Sequence, residues 1–71
     1  MDRQTTLNKI ISMRQDIQDV QYGLIELKEM YKELGITLNN KEEDLLKTAM
    51  NYLASAESVL SEMEQIEEAC Q

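Results

Sequence analysis

The chain has 71 residues, a net charge of −7, and neither histidine nor proline. A single core barely offsets chain entropy at this size, so oligomerisation or another support is expected. Few aromatic residues, two glycines and many Leu, Glu, Lys, Gln and Met residues favour helices over a sheet. Histidine is the commonest general acid or base near neutral pH, so its absence argues against an enzyme.

The charge is distributed unevenly along the chain. Residues 1–14 carry a net +2, whereas residues 41–71 carry −6 and have no basic side chain after Lys47. An acidic surface repels phosphate, which disfavours nucleic acid and anionic membranes as partners and suits a basic protein. No apolar run approaches the roughly 20 residues that span a bilayer, and the polar start has no signal-peptide pattern. With Cys70 as the single cysteine, a cytoplasmic location is expected.

The first predicted helix covers about residues 5–34, with Thr5 or Thr6 as its N-cap. Apolar residues recur inside it every three or four positions, the spacing that holds one edge of a helix against a partner helix in a coiled coil. These residues are Ile10, Met13, Ile17, Val20, Leu24, Leu27, Tyr31 and Leu34. The seam predicts what the helix packs against and not what the chain does.

A short turn over residues 35–39 is predicted to join this helix to a second one over about residues 40–69. Gly35 can adopt the left-handed conformation that ends a helix. Either Asn39 or Asn40 can cap the second helix, with Glu42 or Glu43 completing a capping box. Two helices of matched length joined by a short turn predict a single all-α domain over residues 1–71, an antiparallel two-helix hairpin.

The second helix has more apolar width than one neighbour can cover. One seam comprises Leu45, Ala49, Tyr52, Ala56, Val59, Met63, Ile66 and Cys70, and another comprises Leu46, Leu53 and Leu60. Together they span an arc of roughly 160°, so a second copy is expected to complete a homodimeric four-helix bundle. The predicted core and dimer interface consists of Ile10, Met13, Ile17, Val20, Leu24, Leu27, Leu46, Ala49, Leu53, Ala56, Leu60 and Met63.

Folding at the turn sets an expected register between the helices. It places Ile10 beside Ile66 and Leu27 beside Ala49, so that large residues face small ones in the middle layers. The basic start of the first helix then lies along the acidic end of the second. We expect Arg14 near Glu62, and Lys9 near Glu67 or Glu68, with each exposed pair contributing about 0–1 kcal/mol.

Four apolar residues lie outside the main seam of the first helix: Leu7, Ile11, Tyr22 and Ile25. This strip is a candidate surface for a partner helix or the outer part of the dimer core. Acidic residues at helical spacing, such as Glu64 and Glu68, fall mostly on the solvated face and lack the histidine usual in bundle metal sites. No catalytic residue, metal ligand or cofactor is therefore predicted.

The length, the equal helices and the small-opposite-large core layers resemble the plan of Rop-type RNA-binding hairpins, without a shared motif. That resemblance implies an RNA-binding hairpin dimer, for which Arg3, Lys9, Arg14 and the neighbouring glutamines Gln15, Gln18 and Gln21 are the available residues. A second alternative is capture of a nucleotide-like anion by the same cations and a tyrosine. The leading hypothesis is a non-enzymatic protein-binding module, an acidic adaptor, inhibitor or assembly factor that associates with itself.

Overall fold

The computed structural model describes residues 2–70, which form two α-helices, α1 (Arg3–Glu33) and α2 (Asn40–Ala69). These residues contain no strand. The helices pack against each other as an elongated hairpin with dimensions of 51 × 18 × 15 Å. The predicted all-α fold with two packed helices is confirmed.

Helix α1 begins two residues earlier than the sequence predicts, because Asp2 caps it. One carboxylate oxygen of Asp2 accepts hydrogen bonds from the Thr5 backbone N–H at 2.8 Å and from the Thr5 hydroxyl at 2.7 Å. The prediction of Thr5 or Thr6 as the N-cap was wrong. The Thr6 hydroxyl instead donates to the backbone carbonyl of Arg3 at 2.9 Å. A carboxylate satisfies free N–H groups better than a hydroxyl because the helix dipole favours negative charge at this end.

The turn ends α1 in the way that Gly35 predicts. Gly35 has φ +71°, the left-handed region that residues with a Cβ avoid. Its N–H donates to the carbonyl of Lys32 at 3.1 Å, and the N–H of Ile36 donates to the carbonyl of Tyr31 at 2.9 Å. These two bonds form a Schellman motif, which satisfies carbonyls at the helix end.

Helix α2 begins with the capping box that the sequence predicts, and the structure selects Asn39 and Glu42 from the two possible pairs. The Asn39 side chain accepts from the Glu42 N–H at 2.8 Å, while the Glu42 carboxylate accepts from the Asn39 N–H at 3.3 Å. Both interactions are local. The direction in which the chain leaves the turn is therefore fixed by residues adjacent in sequence.

The two helices meet along a contact seam that includes polar side chains. The buried or half-buried residues of α1 are Leu7, Ile10, Arg14, Ile17, Gln21, Leu24, Leu27 and Tyr31. Those of α2 are Leu46, Ala49, Met50, Leu53, Glu57, Leu60, Ser61, Glu64 and Glu67. Among residues 2–70, only Leu7 and Ile10 are buried outright, at 6% and 7% exposure. The tightest packing therefore lies at the open end of the hairpin, far from the turn.

Candidate functional site: an uncovered apolar face

An ion cluster lies inside the contact seam at the open end. The Arg14 guanidinium donates from Nε and Nη2 to Oε1 of Glu57, at 2.9 and 2.7 Å, and from Nη1 to Oε1 of Glu64 at 2.9 Å. All three side chains are about three-quarters or more covered. These hydrogen bonds, first to Glu57 and then to Glu64, raise the pKa of Arg14. The cluster holds α1 and α2 in one register.

The second oxygen of Glu57 is not satisfied within this cluster. Glu57 Oε2 is buried and has no hydrogen-bond partner among residues 2–70. A buried acceptor without a partner loses its hydrogen bonds to water and gains none from the protein, which lowers the free energy of unfolding. The cluster therefore positions the helices more than it stabilises them, as is common for covered ion pairs.

The observed ion pairs differ from those that the sequence predicts. Arg14 contacts Glu57 and Glu64, not Glu62, because Glu62 is exposed on the side of α2 turned away from α1. Arg3, and not Lys9, lies 3.0 Å from Glu67. The antiparallel alignment of the basic start of α1 with the acidic end of α2 is as predicted, but its partners are shifted by the rotation of both helices.

The widest apolar surface of the hairpin is not covered. Four α2 residues spaced seven apart stay well exposed: Leu45 at 60%, Tyr52 at 73%, Val59 at 56% and Ile66 at 61%. We call these four residues the outer row. Successive members of such a row lie along one side of a helix, so they form a continuous apolar stripe.

Two further rows extend this stripe towards α1. The neighbouring α2 row is Ala49, Ala56 and Met63, and the matching α1 row is Met13, Val20 and Leu27. On antiparallel helices, rows displaced from the contact in the same rotational sense lie on the same side of the hairpin. Together with the outer row they form one surface without a charged residue, which we call the apolar face. Its size exceeds the few scattered apolar residues normal on a monomer.

The predicted core residues are divided between the seam and this face. Ile10 is buried, and seven others are half-buried: Ile17, Leu24, Leu27, Leu46, Ala49, Leu53 and Leu60. The remaining four are exposed: Met13, Val20, Ala56 and Met63. The periodic pattern grouped both sets because it locates an apolar arc and does not show which part of the arc faces the sister helix.

The opposite side of the hairpin carries a smaller apolar strip, which we call the second face. Ile11, Tyr22 and Ile25 of the predicted strip are exposed there, at 37%, 67% and 49%. Leu7 does not belong to it, because Leu7 lies in the hairpin core. A groove of about 450 Å³ continues the strip towards the turn and is lined by Leu24, Ile25, Lys28, Glu43, Leu46, Lys47, Met50 and Asn51.

The three cations on which the anion and RNA alternatives depend are not gathered into one site. Arg3 and Arg14 are engaged by glutamates, and Lys9 is exposed. Within residues 2–70, no group of three acidic or cysteine side chains has a geometry that could hold a metal ion. Over the same residues, neither helix has a stretch that is both long and apolar enough to cross a membrane.

Sequence reasoning did not place polar residues in the contact seam, among them Arg14, Gln21, Glu57 and Glu64. Their spacing carries a signal, since Arg14 and Gln21 continue the three-and-four pattern of Ile10, Ile17 and Leu24. On α2, Glu57 and Glu64 similarly alternate with Leu53 and Leu60. Residues of opposite charge at facing positions of two antiparallel helices would have indicated the pairing.

Comparison of the chain with protein-family models, curated proteins and solved structures gives no match.

Proposed function

We propose that the chain is a non-enzymatic protein-binding module of the cytoplasm, an acidic adaptor, inhibitor or assembly factor built on a self-associating hairpin. The observation that carries this proposal is the exposed outer row of α2. Exposure of an apolar stripe of this length to water is unfavourable. A molecule that covers the stripe therefore stabilises the folded chain. The occupant we propose is a second copy of the hairpin, giving a homodimeric four-helix bundle.

The dimensions of the hairpin fit this occupant. A 51 × 18 Å side offers roughly 900 Å², close to the ~800 Å² per partner of a standard interface. The apolar face has no charge at its centre, so two chains of net charge −7 can meet there without opposing carboxylates. A two-fold dimer covers both apolar faces with one contact.

Light scattering after size exclusion tests the proposal. We expect a molar mass of twice 8.2 kDa at micromolar concentration. Tyr52→Asp should halve that mass, because it puts a charge into the outer row, halfway along the apolar face. Tyr22→Asp is the matched control: Tyr22 is 67% exposed, Tyr52 is 73% exposed, and Tyr22 lies on the second face.

Circular dichroism on the same samples separates dissociation from unfolding. If Tyr52→Asp loses both mass and helix signal while Tyr22→Asp keeps both, folding and dimerisation are coupled and the proposal stands. A natural chain that is a fully helical monomer at 100 μM would refute it. Equal loss of mass in both variants would also contradict it, since the interface would then not be confined to the apolar face.

In such a dimer the second face remains exposed, and we propose that it binds a helix of a partner protein. The strip of Ile11, Tyr22 and Ile25 gives an apolar edge that an amphipathic helix can cover. Binding of this kind is nearly independent of salt, whereas a basic partner held by the acidic end of α2 would dissociate as salt rises. Tyr22→Asp should therefore abolish binding of the partner while leaving the dimer intact.

A further inference from the structure

The two edges of the apolar face differ in chemistry. The α2 edge is the outer row, which is apolar throughout. The equivalent row of α1, also spaced by seven and next to Met13, Val20 and Leu27, is Lys9, Asp16, Gly23 and Met30. It contains one positive charge, one negative charge, one residue without a side chain and one apolar residue. A covering hairpin meets a different surface at each edge.

A second hairpin can cover this face around a two-fold axis in two ways. With both turns at the same end, each α1 lies beside the α2 of the other copy. With turns at opposite ends, α2 lies beside α2 and α1 beside α1. Neighbouring helices are antiparallel in either arrangement, so packing geometry alone does not choose between them.

The same-end arrangement places charges against the outer row. The hairpin register sets Asp16 level with Val59 of the other copy, and Lys9 level with its Ile66. Each pairing would occur twice in the dimer. Moving a charge out of water beside an aliphatic side chain is unfavourable without an opposite charge or a hydrogen bond.

The opposite-end arrangement keeps both charges away from the outer rows. Its one remaining pairing of a charged with an apolar residue is Lys9 with Met30, and the long aliphatic part of the lysine lets its ammonium group reach water. Tyr52 of each copy then lies level with Val59 of the other, and Leu45 with Ile66, so the outer rows cover each other. On the α1 side, Asp16 lies level with Gly23. Gly23 is in the helix interior, and a Cβ built on it would meet nothing within 4 Å. The space beside Gly23 lets the Asp16 carboxylate reach water.

Charge along α2 favours the same choice. Residues 57–68 contain five glutamates and no basic residue, whereas residues 40–47 at the start of the helix carry two lysines against three acidic residues. In the opposite-end arrangement, the acidic segment of each copy (residues 57–68) lies beside the start of the other copy's α2. The two acidic segments are therefore at opposite ends of the bundle. The same-end arrangement gathers both acidic segments at one end of the bundle, where like charges repel.

We infer that the dimer partner of this chain is a second copy packed with its turn at the opposite end, α2 against α2, around a two-fold axis between Ser55 and Ala56. This inference rests on the proposed self-association. It places the two copies of Cys70 about 40 Å apart, from 1.5 Å of helix per residue on either side of the axis. The same-end arrangement brings the two cysteines to one end of the bundle, within about 20 Å.

Distance measurement by pulsed electron paramagnetic resonance distinguishes the two dimers. Cys70 is the single cysteine and is exposed, so the natural chain takes one nitroxide label per copy. A second sample, Thr37→Cys in a Cys70→Ser background, places the label in the exposed turn. We expect a long distance, near 40 Å or more, in both samples.

Each outcome has a definite meaning. Short distances in both samples would overturn the opposite-end inference while leaving the dimer in place. Absence of any dipolar coupling between labels, together with a monomeric mass, would refute self-association itself. Dilution with unlabelled chain should reduce the modulation depth without changing the distance, which verifies that the coupling joins two copies.

Discussion

Arg14 Nη2 lies 2.7 Å from Glu57 Oε1, in a seam whose other layers at this end are formed by Leu7 and Ile10. A third member, Glu64, receives Nη1 of the same guanidinium. Two carboxylates thus share one cation between the helices. Such a group favours the observed register, because that register places one guanidinium within hydrogen-bond distance of both carboxylates, even where its net contribution to stability is small.

Removing the cation from this cluster should destabilise the hairpin, and removing all three charges should stabilise it. Arg14→Leu leaves the carboxylates of Glu57 and Glu64 covered in the seam without a cation, so the melting temperature should fall by several degrees. The triple variant in which Arg14, Glu57 and Glu64 become leucine should melt higher than the natural chain. Thermal denaturation followed by circular dichroism measures both. Lys9→Leu, an exposed change of equal charge, is the control and should not lower the melting temperature.

The adjacent isoleucines of α1 offer a matched test of the core. Ile10 is 7% exposed and Ile11 is 37% exposed. Ile10→Ala should lower the free energy of unfolding by about 2–5 kcal/mol, because it removes buried methyl and methylene groups and leaves a cavity. Ile11→Ala should cost under about 1 kcal/mol. Urea denaturation compares the two, and equal losses would mean that the contact seam is rotated from its observed position.

The two glycines should respond to alanine with opposite signs. Gly35→Ala forces a Cβ into a backbone with φ +71°, which should lower the free energy of unfolding by about 1–2 kcal/mol. Gly23→Ala adds a Cβ in open space within a helix and should raise it by roughly 0.5–1 kcal/mol. Chemical denaturation of both variants beside the natural chain measures the difference. Destabilisation by Gly23→Ala would indicate that another helix approaches Gly23 closely.

The start of α1 should depend on pH through Asp2. Hydrogen bonds from the Thr5 hydroxyl and the Thr5 N–H hold the pKa of Asp2 below its usual value. A lowered pKa in the folded state means that the cap stabilises the helix above the unfolded pKa of about 3.9 and is lost as pH falls through the lower folded value. The Thr5 amide shift in NMR should titrate with a midpoint below about 3.9. In Asp2→Asn, which keeps an acceptor without a charge, that titration should disappear.

Local features of the fold could be predicted from the sequence, whereas the rotation of the helices could not. Gly35, Asn39 and Glu42 act on neighbouring residues, so their roles follow from short motifs. The side of each helix that faces its sister depends on a choice within a wide apolar arc. The hairpin places Arg14, Glu57 and Glu64 in the contact seam and leaves the outer row exposed. The spacing of apolar residues alone does not predict this arrangement.

The N-terminal cap and the placement of Leu7 show the same distinction. Asp2 is a better N-cap than Thr5 because its carboxylate is negatively charged and lies at the positive end of the helix dipole. This preference is local and can be predicted from the sequence. The sequence predicts that Leu7 belongs to the candidate partner surface, because Leu7 lies off the apolar seam of α1. In the structure Leu7 is in the core, because Arg14 and Gln21 continue its row into the contact seam. A row that mixes apolar and charged residues is recognised only when both helices are considered together.

The position of the tight packing has a consequence for folding kinetics. The pair Arg3 and Glu67 joins residues 64 positions apart, and the buried Leu7 and Ile10 lie at the same end, whereas the open groove lies towards the turn. A hairpin that zips from its turn would meet its loosest contacts first and its strongest last. The strongest contacts between the helices, which compensate for the entropy cost of closing the loop, therefore form only after both helices have formed over most of their length. We therefore expect a late barrier to folding, and slower folding than in helical proteins of this length in which local contacts dominate.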